Sequence, residues 1–308
     1  MTGRARVNGV DLYYEVVGEG EPLVLVHGSW VDHETWQRVV PRLARSFRVL
    51  VYDRRGHSRS ERPPGQGSRR QDEDDLASLI ELLGAPAHVA ANSFGASTAL
   101  GLATRRPELL RSLSAHEPPL MDIVGDGDRQ LRPVLQAMEA ALDGVLAALR
   151  AGEDRVGAQR FVDEVAVGPG GWEQLPERFR RTITANAPTF ADEHGDPDWA
   201  RLDVARLDGF PGPALLTFGS ESPPWFPVIV GKLATALGGR ARMRTLVGDG
   251  HVPHLTHPDR YADDLTAFIR SSASASASAP TSASASASAS SAVRPPASRR
   301  LTTPGEPG

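Results

Sequence analysis

Short apolar runs alternate with amphipathic stretches over the first 270 residues of the chain. The runs "LVLVHG" (23–28) and "FRVLVYD" (47–53) have the length and composition of strands buried in a parallel sheet. Strands and helices that alternate in this way predict an α/β fold with a mostly parallel sheet. The other predicted strands are "AHVAA" (87–91), a strand within "LLRSLSAHE" (109–117), "PALLTFG" (213–219) and "ARMRTLVG" (241–248).

Turn and helix signals divide these runs. "ARVNGVDLYYEVVG" predicts a β-hairpin that turns at Asn8-Gly9, because this dipeptide favours tight hairpin turns. "DEDDLASLIELLG" (72–84) has acids in its first turn and Gly84 at its end, which predicts a helix. Helices are also predicted at Thr35–Arg45, Phe94–Arg105, 226–237 and Pro258–Arg270.

Residues 120–208 interrupt the alternation with mostly helical patterns. We interpret them as a helical cap or lid, inserted between the two core segments 1–119 and 209–270. An insertion at this place is expected to lie over the carboxyl edge of the sheet, where open α/β sheets bind ligands. From Ser271 the sequence is rich in Ser, Ala and Pro and has almost nothing to bury, so we predict a disordered tail over 271–308.

The composition excludes several classes of protein. The chain has no cysteine, which rules out disulfides, a thiolate nucleophile and a cysteine metal site. A net charge of −4 gives no strong attraction to nucleic acid or to an anionic membrane. The N-terminal segment lacks the apolar core of a signal peptide, and no apolar run is long enough to span a membrane. We therefore expect a cytoplasmic protein without nucleic-acid or membrane partners; the sequence does not indicate its oligomeric state.

One serine stands where a nucleophile would be placed. The segment Ala91-Asn92-Ser93-Phe94-Gly95 has a serine between small residues, directly after a predicted strand and before a predicted helix. This arrangement is typical of a nucleophile elbow, a sharp turn that exposes the serine hydroxyl. The alternative is an ordinary serine at a helix N-cap.

A histidine that could serve as the base follows the last predicted strand, in "VGDGHVPHLTHPDRYADD". We favour His251 because it is the first histidine after the strand and is flanked by glycine. His254 and His257 are the alternatives. These three histidines are spaced three residues apart, a pattern that could also bind a metal ion. With only Asp249 nearby, this is weak evidence, and we expect no metal and no cofactor.

Taken together, these segments resemble the α/β-hydrolase family. The resemblance rests on "VHGSW" (26–30), "YDRRGHSRS" (52–60), the elbow and the Gly-His near residue 251, and it covers about 270 residues. It implies that the backbone N–H groups of Ser29 and Phe94 form an oxyanion hole and that Trp30 lines the substrate pocket. Asp53 and Arg54 are interpreted as residues that structure their loop.

The acid that would orient the histidine has two candidate positions. Most of the family carries it after the penultimate strand, but here that segment is Gly219-Ser220-Glu221-Ser222, with serine at the expected place and Glu221 one residue early. The other position known in this superfamily follows the strand after the elbow helix. There Glu117 precedes Pro118 and Pro119, which restrict the backbone. We favour Glu117 and keep Glu221 as the alternative.

These residues predict a serine hydrolase of the carboxylesterase or lactonase class (EC 3.1.1). It would cleave an ester or lactone of a small hydrophobic molecule with water, through an acyl-enzyme on Ser93. The alternatives are a ligand-binding receptor, an acyltransferase or cyclase, a C–C bond hydrolase and a cofactor-free perhydrolase. A dehalogenase is disfavoured because its nucleophile is an aspartate. The apolar residues of the insertion, which either line the pocket or form the insertion's own core, are Trp172, Phe179, Ile183, Phe190 and Trp199.

Overall fold

A computed structural model describes residues 1–125 and 129–277, with side chains described to residue 272. Within these residues, eight strands form one sheet in the order β1-β2-β4-β3-β5-β6-β7-β8. The pairs β1–β2 and β2–β4 are antiparallel and all others are parallel. The strands are β1 Thr2–Val7, β2 Val10–Val17, β3 Glu21–Val26, β4 Phe47–Tyr52, β5 Ala87–Asn92, β6 Leu110–His116, β7 Ala214–Gly219 and β8 Ala241–Leu246. The predicted α/β fold with a mostly parallel sheet is confirmed.

Helices connect the strands and cover both faces of the sheet. None of those in the described part of the chain combines the length and the apolar character needed to cross a membrane. Their bounds are α1 Val40–Leu43, α2 Arg69–Leu83, α3 Phe94–Arg105, α4 Arg132–Arg150, α5 Asp154–Arg160, α6 Gly171–Gln174, α7 Glu177–Gly195, α8 Trp225–Leu237, α9 Pro253–Thr256 and α10 Pro258–Ala277.

The first two strands form the predicted hairpin. Asn8 and Gly9 have φ angles of 43° and 80°, and Val7 pairs with Val10 across the turn. Two successive residues with positive φ define the tight turn whose twist matches that of the flanking strands. Asparagine and glycine tolerate this conformation better than other residues, which is why the dipeptide predicts the turn.

The hydrophobic core has one part on each face of the sheet. Helices α2, α3 and α8 cover one face with residues such as Leu76, Leu100 and Ile229. On the other face, α1 and α10 contribute residues such as Leu43 and Leu265. Because the central strands are covered on both faces, they are continuous apolar runs rather than alternating ones.

Helices α4–α7 and the segments between them form a helical insertion between β6 and β7. Asn186 on α7 donates to the carbonyls of Trp30 and Val31, each at 3.2 Å, and accepts from the Ser58 N–H at 2.8 Å. Trp30 and Val31 follow β3, and Ser58 follows β4. Since parallel strands end at the same edge, α7 lies over the carboxyl edge of the sheet.

The segment Thr35–Arg45 differs from its prediction. It contains a 3₁₀ turn at His33–Trp36 and the single turn α1, rather than one continuous helix. Pro41 at the start of α1 has no N–H to bond backward, so a helix cannot run through it without losing a hydrogen bond. The apolar positions are nevertheless buried, because Trp36 and Leu43 are inaccessible to solvent.

The C-terminal helix is longer than predicted, because α10 continues past Arg270 to Ala277, the last residue that the structure describes. The tail predicted over 271–308 therefore overlaps the last turns of α10, over 271–277. Alanine is the best helix former, and the hydroxyls of Ser271 and Ser272 donate to the Phe268 carbonyl, which keeps them compatible with a helix. The remainder of the predicted tail, 278–308, lies outside the described residues.

The packing of α10 on the sheet predicts the effect of a core substitution. Phe268 is 5% exposed within the core under α10, so Phe268→Ala should lower the free energy of unfolding by about 3–5 kcal/mol. Leu82→Ala is the control, because Leu82 is 55% exposed and should cost less than about 0.5 kcal/mol. Urea denaturation of both variants measures the difference, and equal stabilities would contradict the packing described.

Candidate active site

Ser93 occupies the turn between β5 and α3. Its backbone has φ 56° and ψ −128°, and its hydroxyl makes no capping hydrogen bond to α3. An N-cap serine normally has extended backbone angles and accepts from the first turn of the helix, so the N-cap alternative does not describe this residue. Residues whose backbone is held in so sparsely populated a conformation cluster at functional sites.

Close backbone contacts explain the small residues around the turn. A Cβ at Gly95 would overlap the carbonyl oxygens of Val26 and His27. A Cβ at Gly28 would lie 2.8 Å from the Cβ of Ser93. Glycine at these two positions therefore lets the end of β3 and the elbow approach each other, and the loop after β3 lies against Ser93.

Glu117 and His251 are hydrogen-bonded to each other. The distance between Glu117 Oε2 and His251 Nδ1 is 2.6 Å. A carboxylate can only accept, so Nδ1 carries the proton and Nε2 is left as an acceptor. Glu117 directly follows β6, and His251 lies in the loop after β8. The fold therefore joins two residues that are 134 positions apart in the sequence.

The Glu117 carboxylate is buried and fully hydrogen-bonded. Its side chain has no solvent exposure, and its Oε1 accepts from the Gly219 N–H at 2.7 Å. Burial by itself would raise the pKa of Glu117, but the hydrogen bond from His251 and the nearby imidazole of His116 outweigh it, so the pKa lies below its ordinary value. The carboxylate is therefore held in its charged form.

The backbone of Glu117 differs from the expectation based on the two prolines. A residue before proline usually adopts an extended conformation, yet Glu117 has φ 48°. Its N–H donates to the Thr217 carbonyl at 3.1 Å, so the neighbouring strand β7 fixes this unusual turn. The positive φ comes at the strand end where the carboxylate must turn toward His251.

Further contacts hold the loop that carries His251 beside the elbow. Asn92, the residue before Ser93, donates through Nδ2 to the His251 carbonyl at 2.9 Å. The ring of Phe226 stacks on the His251 imidazole, with centroids 5.4 Å apart. The side chain of His251 remains 32% exposed, so a ligand can reach it. The loop that carries His251 is thus attached to Asn92, the residue that precedes Ser93.

The alternative acid and bases lie elsewhere. Glu221 is exposed and its carboxylate accepts from the Ser220 hydroxyl at 2.9 Å, away from His251. His254 is buried against Trp36, with ring centroids 4.3 Å apart, and His257 pairs with Asp249. Of the candidate acids and bases, the structure brings together Glu117 and His251.

The two expected oxyanion donors remain available for a ligand. Ser29 follows β3, and Phe94 begins α3, so both backbone N–H groups lie next to Ser93 in the chain or in space. Among the described residues, neither N–H has a hydrogen-bond acceptor. Free N–H groups at a helix start and a loop are suited to binding a developing negative charge.

Arg54 is the centre of a buried ionic cluster. Its guanidinium forms two hydrogen bonds with the Asp72 carboxylate, at 3.0 and 3.1 Å, and pairs with Glu193 on α7 at 2.8 Å. Burial acts to lower the pKa of Arg54, but the two carboxylates outweigh it and raise that pKa. The sequence indicated Arg54 as a loop residue and gave no signal for Glu193, which lies in the insertion far from any motif.

Trp30 joins the insertion to the core. It has φ 70°, stacks on Phe161 with ring centroids 4.7 Å apart, and contacts the tilted ring of Phe190 at 4.5 Å. Trp172, Ile183 and Phe190 are buried in the same cluster, so these three form the core of the insertion. Phe179 and Trp199 are half-buried.

The loops after β3 and β4 contain a compact polar group of three residues, Asp32, His33 and Asp53. One ring nitrogen or carboxylate oxygen from each of them lies within 4.8 Å of the others. Their hydrogen bonds account for this arrangement. His33 Nδ1 is 2.5 Å from Asp53 Oδ1, and the other Asp53 oxygen accepts from the Arg59 N–H at 3.0 Å. Asp32 accepts from the Glu34 N–H and from the Ser58 hydroxyl. The group structures the loops after β3 and β4.

Comparison with known families gives a match over most of the chain. The model of the alpha/beta hydrolase family matches residues 23–264. Uncharacterized hydrolase YraK of Bacillus subtilis is 34% identical over 140 residues, which are 44% of this chain and 51% of that protein. Zearalenone hydrolase of Bionectria ochroleuca is 27% identical over 266 residues, which are 83% of this chain and 92% of that protein. The chain thus spans about half the length of YraK, and these relatives are hydrolases.

Solved structures agree with this match. An alpha/beta hydrolase from Sphaerobacter thermophilus superimposes with a TM-score of 0.72 and is 28% identical, with 86% of this chain and 99% of that chain covered.

The close approach at the elbow predicts a steric effect. Gly95→Ala should destabilise the protein by about 1–3 kcal/mol, because backbone carbonyls of the β3 end must move to admit the methyl group. Gly231→Ala is the matched control, since this helical glycine of α8 has open space around it and alanine should be neutral or stabilising by up to about 1 kcal/mol. Thermal unfolding of both variants tests this; an undisturbed Gly95→Ala protein would refute the contact.

Buried histidines predict a loss of stability in acid. Burial lowers the pKa of His254 to about 3 and that of His116 to about 4. The folded value lies below the unfolded value of about 6.5, so the unfolded chain binds protons first as the pH falls. Each such histidine should therefore cost about 1.4 kcal/mol of stability at pH 5.5 relative to pH 7.5.

His254→Phe isolates this contribution, since phenylalanine can keep the stacking on Trp36 without titrating. Urea denaturation at pH 7.5 and 5.5 should give a decrease in unfolding free energy that is about 1.4 kcal/mol smaller in the variant than in the wild type. An equal decrease in both proteins would mean that His254 does not contribute to the acid sensitivity.

Proposed function

Because the chain belongs to the alpha/beta hydrolase family, we propose that it is a serine hydrolase acting through an acyl-enzyme on Ser93. The substrate is an ester or lactone of a small hydrophobic molecule, and the second substrate is water. The observation that carries the proposal is the 2.6 Å hydrogen bond between Glu117 and His251, in a loop that Asn92 fastens to the elbow.

His251 is the general base in this proposal. Its Nδ1–H is held by Glu117, so its Nε2 has the lone pair that removes the proton from the Ser93 hydroxyl as the oxygen attacks the carbonyl carbon. Glu117 stabilises the imidazolium that forms and stays ionised itself. The same imidazolium then protonates the leaving alkoxide; the alcohol of an ester departs, whereas that of a lactone stays attached to the acyl group. A water molecule, activated by His251, finally opens the acyl-enzyme and restores the serine.

The N–H groups of Ser29 and Phe94 are the proposed oxyanion donors. They would stabilise the negative charge on the carbonyl oxygen in both tetrahedral intermediates. Loss of a single donor of this type typically lowers turnover by about 10²–10³-fold. Their lack of other acceptors among the described residues supports this role.

The preference for a hydrophobic substrate rests on the aromatic residues beside the site. The Trp30 ring stacks on Phe161, and both rings lie against Phe190. The part of the insertion that meets the loop after β3 is therefore apolar, which supports a hydrophobic substrate beside it. Hydrolysis as the reaction class is supported by the zearalenone hydrolase, which matches over 83% of this chain. Serine as the nucleophile and an ordered histidine with its carboxylate favour acyl transfer over other hydrolytic chemistry.

Fluorophosphonate labelling tests the proposal. The purified protein should be labelled at Ser93, as located by peptide mapping, and Ser93→Ala should remain unlabelled. Glu117→Gln should slow both labelling and ester turnover by about 10²–10⁴-fold, because the amide no longer stabilises the imidazolium or fixes the tautomer.

Glu221→Gln is the matched control for the acid and should retain activity within about twofold, because the Glu221 carboxylate is exposed to solvent and does not contact His251. Absence of label from a folded wild-type protein would overturn the serine mechanism. A large loss of activity in Glu221→Gln, with Glu117→Gln unaffected, would reverse the assignment of the acid.

A further inference from the structure

The peptide between Gly28 and Ser29 contains the first proposed oxyanion donor, and its carbonyl is fixed by two buried side chains. His27 Nδ1 lies 2.7 Å from the Gly28 oxygen, and Arg54 Nη1 donates to the same oxygen at 3.3 Å. The Arg54 N–H donates to His27 Nε2, so Nδ1 carries the proton and donates. Because a trans peptide directs its C=O and N–H in opposite directions, these contacts also fix the direction of the Ser29 N–H.

The side chain of Ser29 is held by the helical insertion. Its hydroxyl donates to Oε2 of Glu193 on α7, and Oε1 of Glu193 pairs with Arg54. Glu193 and Arg54 are 6% and 1% exposed. The peptide that contains the Ser29 N–H is therefore bonded to Arg54 through the Gly28 carbonyl, and the Ser29 side chain is bonded to Glu193. Arg54 and Glu193 belong to the same buried ionic cluster, and Glu193 is a residue of the insertion.

Charge pairing alone does not explain Glu193. Arg54 already has a full bidentate partner in Asp72, so Glu193 is a second buried carboxylate for one cation. Burying a charge without its own counterion is costly, and desolvation raises the pKa of Glu193 despite Arg54. A costly buried group beside a candidate site, with one oxygen bonded to Ser29, points to a role in that site.

We infer that Glu193 and Arg54 are positioning residues that hold the Ser29 N–H toward the Ser93 turn, so that seating α7 on the core completes the oxyanion hole. The inference rests on the proposed function. It adds that the rate of the chemical step depends on the packing of the insertion against the core. Gly28 places this peptide beside the serine, since a Cβ there would lie 2.8 Å from the Ser93 Cβ. Neither Glu193 nor Arg54 needs to touch the substrate.

This role predicts a specific kinetic effect. An interaction that strengthens only as the oxyanion forms contributes to kcat and not to ground-state binding. Glu193→Ala should therefore lower kcat for p-nitrophenyl butyrate at least about tenfold, up to the ~10²–10³-fold loss known for a missing donor. KM should stay within about threefold. Ser29→Ala keeps the N–H but removes the hydroxyl that Glu193 accepts from, so it should also lower kcat.

Two further measurements separate positioning from a general structural role. Glu193→Gln keeps an oxygen that can accept from Ser29, so it should recover part of the kcat lost in Glu193→Ala. A trifluoromethyl ketone with the same acyl chain forms an oxyanion on Ser93, so its inhibition constant should rise in proportion to the fall in kcat/KM. Asp192→Asn, one residue earlier on α7, is the matched control and should behave as the wild type.

The outcomes are distinguishable. A raised KM with unchanged kcat in the Glu193 variants, or kinetics equal to those of Asp192→Asn, would overturn the inference. If Glu193→Ala does not fold, Glu193→Gln and Ser29→Ala decide by the same kcat and inhibition criteria. A wild-type protein that neither hydrolyses the ester nor reacts with a fluorophosphonate would overturn the proposed function itself, before any Glu193 variant is compared.

Discussion

The candidate site depends on one buried carboxylate, that of Glu117, at the end of β6. Glu117 has no solvent exposure, and its two oxygens are bonded by His251 and the Gly219 N–H. Burial acts to raise the pKa of this carboxyl, but His251 and the nearby His116 hold it below its ordinary value. Loss of the His251 imidazole would remove the charged partner of a buried carboxylate, at a cost of several kcal/mol. The loops after β6, β7 and β8 are thus fixed relative to one another by one side chain, and the imidazole acquires a single orientation.

The sheet places this carboxylate and Ser93 on neighbouring strands. β5 pairs with β6 in parallel, with Asn92 beside His116, so the elbow and the acid emerge side by side at the carboxyl edge. Both positions have positive φ, 56° for Ser93 and 48° for Glu117. Local strain of this kind costs about 1–3 kcal/mol each and persists only where surrounding contacts enforce it. Here the enforcing contacts are the Ser93 N–H to His116 and the Glu117 N–H to Thr217.

Much of this arrangement follows from the sequence, because it is encoded locally. Asn8-Gly9 specifies a turn by its φ preferences, buried parallel strands require continuous apolar runs, and Ser93 is surrounded by residues small enough for a tight turn. The two prolines that follow Glu117 restrict its backbone and favour it as the acid. The carboxylate does contact His251, but its backbone has a positive φ that proline rules would not suggest, because β7 overrides them.

Long-range polar contacts could not be predicted in the same way. The position of Glu193 in α7 shows nothing that distinguishes it from other acids of the insertion, and only the fold brings it to Arg54 and Ser29. The extension of α10 beyond Arg270 could not be predicted for a different reason. A Ser/Ala repeat is poor in apolar residues and suggests disorder, yet alanine propensity and serine hydroxyl bonds to Phe268 continue the helix to Ala277.

The central claim, that an ordered Glu117–His251 pair activates Ser93 to form an acyl-enzyme, is tested most directly by trapping that intermediate. The protein is mixed with p-nitrophenyl acetate, quenched in acid within the first turnovers, digested and analysed by mass spectrometry. The account predicts an added acetyl group on the peptide that contains Ser93, which disappears as the ester is consumed. Ester turnover without that adduct, or with the adduct on a carboxylate, would contradict it.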